Sequence, residues 1–286
     1  MKRQRGLIDL WGITPGELNW FIGAGGKTTT INKLARKLNY HKTIISTTTA
    51  ILKPEGIPHR VALINSYQDL SKELAKYAQT SSSEALVLVS TKKDHPLSNL
   101  KGEKLIGLKP AWLTEAAKEF PEFYYLIEAD GAANRPIKIP ADHEPVLPEV
   151  IDNLFLLQGL SPLKRSYNKN IDKRIMHRAE LFNNNNRKQD SSKKLSLSTY
   201  RMLYSPQNWG KNRFKSTRQI RFILTQSNGD ILGFSRVLAE YLFKEYIGLD
   251  NLKSITGVNY RKQPAAIYHI DREEYLNRGY NKLKRY

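Results

Sequence analysis

Gly23-Ala24-Gly25-Gly26-Lys27-Thr28-Thr29-Thr30 places, within eight residues, the groups that bind a polyphosphate. A glycine-rich turn between a strand and a helix aims successive backbone N–H groups and a helix N-terminus at one point, which suits a phosphate. Lys27 supplies a point charge for the β- and γ-phosphates, and the Thr28 hydroxyl can hold Mg²⁺. The pattern G-x-x-x-x-G-K-[ST] asks for a first glycine five positions before the last, where this chain has Phe21. The match is therefore incomplete. A turn that only packs helix on sheet is the plain alternative.

A second cluster, Leu126-Ile127-Glu128-Ala129-Asp130-Gly131, sets two carboxylates at the end of an apolar run. One residue apart on a strand, Glu128 and Asp130 point to the same side of the sheet. In an open α/β sheet the ligand crevice lies outside the carboxyl ends of the strands. A carboxylate there can hold Mg²⁺ directly or through water, so Asp130, with Glu128 beside it, is expected to serve the metal together with Thr28. Thr47, Thr48 and Thr49 close another strand-like run and are expected along the same crevice.

The stretch from Asn134 to Pro148 holds four prolines, two cations and Asp142-His143-Glu144. Prolines fix φ and stiffen the path of the chain. Arg135 and Lys138 are candidates for a substrate phosphate or carboxylate. Asp142, His143 and Glu144 are candidates for a general base or for substrate contacts. Consecutive residues cannot all converge on one ion without a special backbone, so a three-ligand metal site is not expected.

These residues need a frame. Strand-like runs at 18–22, 42–47, 60–64, 85–89, 123–129, 154–157, 220–225 and 252–258 alternate with helical patterns at 27–38, 67–79, 110–120 and 231–246. The alternation predicts an α/β fold: helices on a mostly parallel central sheet, in three layers, with a less regular basic C-terminal part. Residues 1–165 are expected to form the nucleotide-binding core and 166–217 a basic Asn/Ser/Lys-rich insertion or mobile segment. Residues 218–286 are expected to complete the same domain. The tyrosine-rich tail shows no clear pattern.

Composition narrows the class. The 286 residues can bury a sizeable core, and no apolar run approaches the ~20 residues of a membrane span. The basic start lacks the long apolar stretch of a signal peptide, and a cytoplasmic protein is expected. With no cysteine, disulfides, thiolate metal sites and cysteine nucleophiles are excluded. The net charge of +19 is uneven: residues 1–150 carry 20 Lys/Arg against 16 Asp/Glu, and residues 151–286 carry 26 against 11. The basic residues are scattered and no RNA signature or zinc finger accompanies them. Nucleic acid is therefore not an expected partner.

Taken together, Gly-Ala-Gly-Gly-Lys-Thr-Thr, Ser46-Thr-Thr-Thr49 and the run from Glu128 through Pro148 resemble the YqeC family of selenium-dependent hydroxylase accessory proteins. Lys104–Leu108 and His177-Arg178 fit the same family. The short loop itself also resembles the phosphate loop of Mur-type ligases. The resemblance implies a P-loop-type nucleotide-binding protein linked to a molybdenum hydroxylase or a molybdenum-cofactor-related species. Thr225-Gln226-Ser227-Asn228 follows a late strand, where guanine recognition would place an Asp, so ATP is expected ahead of GTP, unless the turn makes no base contact at all. Three functions follow: an ATP- and Mg²⁺-dependent accessory protein, a Mur-like ligase forming an acyl phosphate, or a polyanion-binding scaffold. If the loop binds phosphate, Lys27→Ala is expected to lose nucleotide while melting almost as the parent does.

Overall fold

The computed structural model describes residues 6–82, 84–94, 103–164, 176–177, 197–209, 211–227, 229, 231–246, 248–261 and 265–277. Arg178, Asn228, the four asparagines at 183–186 and the charged run at 187–194 lie outside the described residues.

Fourteen strands appear among them, nine in one sheet. The central strands are β1 (Leu18–Gly23), β2 (Thr43–Thr47), β5 (Ala85–Val89), β8 (Tyr124–Glu128), β10 (Ile151–Gly159), β12 (Thr217–Thr225) and β13 (Leu252–Val258). The edges are β4 (His59–Leu63) and β14 (Ala266–Asp271). The order is β14-β13-β12-β10-β1-β8-β2-β5-β4, and only the β13–β14 pairing is antiparallel. The expected α/β fold with a mostly parallel sheet is therefore observed.

The apolar runs are strands because both faces of this sheet are covered. All six residues of β1 are buried, and they alternate between two cores. Trp20 and Ile22 join one cluster while Phe21 joins the other, the two-residue period of a pleated strand. Leu154 and Leu156 of β10 repeat the split against Phe155 and Leu157.

Helices α1 (Leu7–Trp11) and α2 (Lys27–Lys37) cover one face through Trp11, Ile31 and Leu34. The other face receives α3 (Tyr67–Gln79) and α4 (Pro110–Glu119) through Leu70, Leu74 and Leu113. Three short helices follow, α5 (Leu197–Leu203), α6 (Pro206–Trp209) and α7 (Lys211–Ser216), then α8 (Ile231–Tyr246) and α9 (Arg272–Asn277). Tyr200, Leu203, Tyr204, Trp209 and Phe214 from 197–216 are buried in the same cluster as α3 and α4. Aromatic rings in that part of the chain thus contribute to the core.

Two smaller sheets stand beside the main one. In the first, β7 (Glu103–Ile106) lies between β3 (Ala50–Leu52) and β6 (Thr91–Asp94). In the second, β9 (Ile137–Lys138) pairs in parallel with β11 (Met176–His177). Both involve loops at the carboxyl ends of the main strands, where the crevice was expected.

Candidate functional site

The turn after β1 is shaped by crowding as much as by conformation. Gly23 and Gly25 have φ of +92° and +78°. A Cβ on Gly23 would meet Leu157 O at 2.1 Å, and one on Gly25 would meet Pro136 O at 2.4 Å. Only glycine fits both constraints. Ala24 N donates to Leu157 O at 2.8 Å, and Gly25 N donates to Arg135 O at 3.1 Å. The loop is thereby fastened to β10 on one side and to the Asn134–Pro148 segment on the other. Gly26 then caps α2, its carbonyl accepting from Thr30 N at 2.8 Å.

Beneath the loop lies a buried charge cluster. Lys27 Nζ donates to Gly23 O at 2.6 Å and stands 3.0 Å from Asp130 Oδ1 and 3.7 Å from Glu128 Oε1. Asp130 also accepts from Gly23 N at 2.9 Å, and its Oδ2 lies 3.0 Å from Lys138 Nζ. Lys138 reaches Glu144 Oε2 at 2.9 Å and donates to Gly131 O. Thr28 Oγ1 donates to Glu128 Oε2 at 2.9 Å. All five ionisable side chains are buried.

Burial opposes charge here, and neighbours decide the outcome. Desolvation pulls the Lys27 amine down, but Asp130 and Glu128 outweigh it and its pKa ends above the ordinary lysine value. Glu128 moves up, because desolvation of its carboxylate exceeds the help it receives from Lys27 and Thr28.

Above this cluster opens a cleft of about 1400 Å³. Among the sequence-predicted residues, Gly25, Gly26, Lys27, Thr28, Thr29 and Glu128 line it, and so do Arg135, His143 and Glu144. Others stand behind the wall. Asp130 and Lys138 are wholly buried beneath the loop. Gly23 and Ala24 form the strand-to-loop bend. Thr47 donates to Glu128 O at 2.7 Å, Thr48 donates to Val146 O at 2.7 Å, and Asp142 is exposed. Of the two carboxylates at the end of β8, Glu128 is the one that reaches both the cleft and Thr28.

One expectation about stability needs revision. Lys27 was expected to matter little to stability without ligand, but it is 4% exposed and neutralises buried carboxylates. The turn after β12 was read as lacking a guanine-type carboxylate. Gln226 has φ of +62° and accepts Ser161 N through Oε1 at 3.0 Å. The Ser227 hydroxyl is buried against Leu224 O and Ser235 Oγ, whereas Thr225 and Gln226 line the cleft.

The cleft also contains Lys104, from the run noted in the sequence, and residues that motif spacing did not reveal: Lys33, Lys53, Asn259, Tyr260 and Arg261. Tyr260 OH lies 2.5 Å from Thr30 Oγ1 although 230 positions separate them. Its only sequence signal was its place just after a late strand.

No helix among the described residues is long and apolar enough to cross a membrane. No curated protein and no solved structure matches the chain. The family profile described as YqeC protein matches residues 20–180, a span that contains the loop, both carboxylates of β8, the proline-bearing segment and His177. That span exceeds half of the chain and includes the whole buried charge cluster, and on this ground the protein belongs to the YqeC family.

Proposed function

We propose that the cleft binds a nucleoside triphosphate with Mg²⁺, ATP ahead of GTP, for an accessory step in the maturation of selenium-dependent molybdenum hydroxylases or their cofactor. The observation that carries this reading is the convergence of Lys27, Thr28 and Glu128 at the N-terminus of α2. The first N–H groups of a helix have no intrahelical partner and favour an anion. Lys27 would turn its ammonium to the outer phosphates, while Asp130 keeps Gly23 N and Lys138.

Mg²⁺ fits the chemistry of the donors. The Thr28 hydroxyl and Glu128 carboxylate are hard oxygen ligands, 2.9 Å apart. Glu128 is the carboxylate of the buried cluster that meets both Lys27 and Thr28, so a divalent cation there would stand against its charge. Among the described residues no group of three or more His, Cys, Asp or Glu is placed to hold a metal. Water and phosphate oxygens would complete the shell, the usual habit of Mg²⁺.

The cleft is larger than the ~300–1,000 Å³ typical of small-molecule pockets. That size favours a second substrate beside the nucleotide, with Arg135 and His143 facing it. A Mur-like ligase that activates a carboxylate as an acyl phosphate is the second reading, and it predicts ADP release that depends on an amine co-substrate.

Thermal unfolding with ATP, GTP or ADP, each with Mg²⁺ or with chelator, tests the binding reading. At a ligand concentration 100 times its Kd, the protein gains about 2.7 kcal/mol. Thr28→Val is expected to abolish the Mg²⁺-dependent part of the shift. Equal shifts with and without Mg²⁺ in both proteins, or no shift at all, contradict the proposal.

A further inference from the structure

The cleft does not stop at the phosphate loop. It continues to the carboxyl ends of β12 and β13, where Thr225, Gln226, Asn259, Tyr260 and Arg261 line it. Thr225 Oγ1 donates to Gly25 O, and Tyr260 holds Thr30 on the first turn of α2. The Tyr260 ring lies 3.9 Å from the place where a Gly26 Cβ would stand. A ring carbon of Tyr260 thus stands within van der Waals reach of the start of α2, beside the proposed phosphate site. We propose that Tyr260, Asn259, Gln226 and Arg261 form a nucleoside subsite. This rests on the nucleotide reading above.

The chemistry of its polar groups restricts the base. Asn259 is 5% exposed, and its Oδ1 accepts Arg261 N at 3.0 Å. Gln226 Oε1 likewise accepts Ser161 N. Each carbonyl oxygen already accepts one N–H from the protein, so the amino groups are what these side chains would offer a ligand. The acidic side chains lining the cleft, Glu55, Glu128 and Glu144, all belong to other segments of its wall. Guanine, whose Watson–Crick edge presents a ring N–H and an amino group side by side, is matched by a carboxylate that takes both, and these amides do not supply one. Adenine and cytosine offer an unprotonated ring nitrogen that accepts such a donor. The Tyr260 ring supplies stacking, and Arg261 is exposed beside it, where a guanidinium can stack on a base or meet the ribose. These four residues follow the 20–180 span of the family match.

Isothermal titration with ATP, CTP, GTP and inorganic tripolyphosphate, all with Mg²⁺, separates this subsite from the phosphate site. The parent protein should prefer ATP or CTP to GTP, and the ratio of ATP to CTP names the base. Tyr260→Ala should weaken the preferred nucleotide by about tenfold, the loss of one base stack, and leave tripolyphosphate unchanged. Tyr260→Phe, which keeps the ring, should retain most of the affinity. Asn259→Asp keeps the acceptor for Arg261 N and replaces the donor with an acceptor. It should lower ATP and CTP binding and raise GTP binding, a gain that partial unfolding cannot produce. Equal losses of nucleotide and tripolyphosphate in Tyr260→Ala, or no gain for GTP in Asn259→Asp, overturn the subsite. If the parent binds neither nucleotide nor tripolyphosphate, the phosphate-loop reading falls as well.

Discussion

Lys138 Nζ lies 3.0 Å from Asp130 Oδ2, and neither side chain is exposed to solvent. The pair joins β9 to the end of β8 directly under the loop that follows β1. Lys138 also holds Glu144, so one ammonium anchors both the strand end and the segment that carries Arg135 and His143. Its role is to position these groups, and it does not face the cleft.

Removing that ammonium should be severe. Lys138→Met takes a buried ammonium away from both Asp130 and Glu144. Breaking a buried pair on one side costs about 3–5 kcal/mol. Urea unfolding should register this loss, and the addition of Glu144→Gln should recover part of it. A change under ~1 kcal/mol would mean that water or another cation replaces Lys138.

Lys27→Ala should have two effects. Without ligand it removes the partner of two buried carboxylates and should lower stability by about 1–3 kcal/mol, the usual penalty for an unsatisfied buried polar group. With Mg²⁺ and ATP it should also lose the thermal shift of the parent. Thermal scans with and without ligand measure both effects on one sample.

Glu128→Gln should act in opposite directions on stability and binding. Burial raises the Glu128 pKa in the folded chain, so between 4.5 and that raised value the folded state keeps a proton that the unfolded state releases. Its contribution is present below the ordinary carboxylate value of 4.5 and is lost as pH rises through the folded pKa. In chelator, Glu128→Gln should therefore be more stable than the parent at pH 8, with the advantage shrinking towards pH 5. The same variant should lose the Mg²⁺-dependent nucleotide shift. Urea midpoints at the two pH values decide the first point, and a lower stability at pH 8 contradicts it.

Gly25→Ala tests whether the loop depends on its contact with the Asn134–Pro148 segment. The new methyl would lie 2.4 Å from Pro136 O and 2.5 Å from Gly159 N, at a φ of +78°. Backbone strain of this kind costs about 1–3 kcal/mol before any steric clash is counted. The expected outcome is a protein that melts earlier and loses tripolyphosphate binding together with nucleotide binding. Parent-like tripolyphosphate affinity would show that the Gly25–Pro136 contact is dispensable.

By itself the sequence determined the sheet and the chemical character of the loop. Runs such as Phe21-Ile22, Leu86–Val89 and Leu154–Leu157 are apolar at every position because parallel strands covered on both faces have no polar side. Glycines and Lys27 are legible for a similar reason: the turn, the charge and the helix start sit next to one another in the chain. The antiparallel edge strand Ala266–Asp271 was hidden because only every second residue is buried, amid a tyrosine-rich tail. Tertiary structure alone decided the division of labour among the charges. The strand period puts Glu128 and Asp130 on one side of the sheet, but it is Lys138, arriving from a separate strand, that holds Asp130 inside and leaves Glu128 to meet Thr28. The placement of Tyr260 beside Thr30 is likewise invisible in the sequence. It depends on where β13 ends relative to β1, with two strands between them and more than two hundred residues of chain apart, and packing of the whole sheet sets that position.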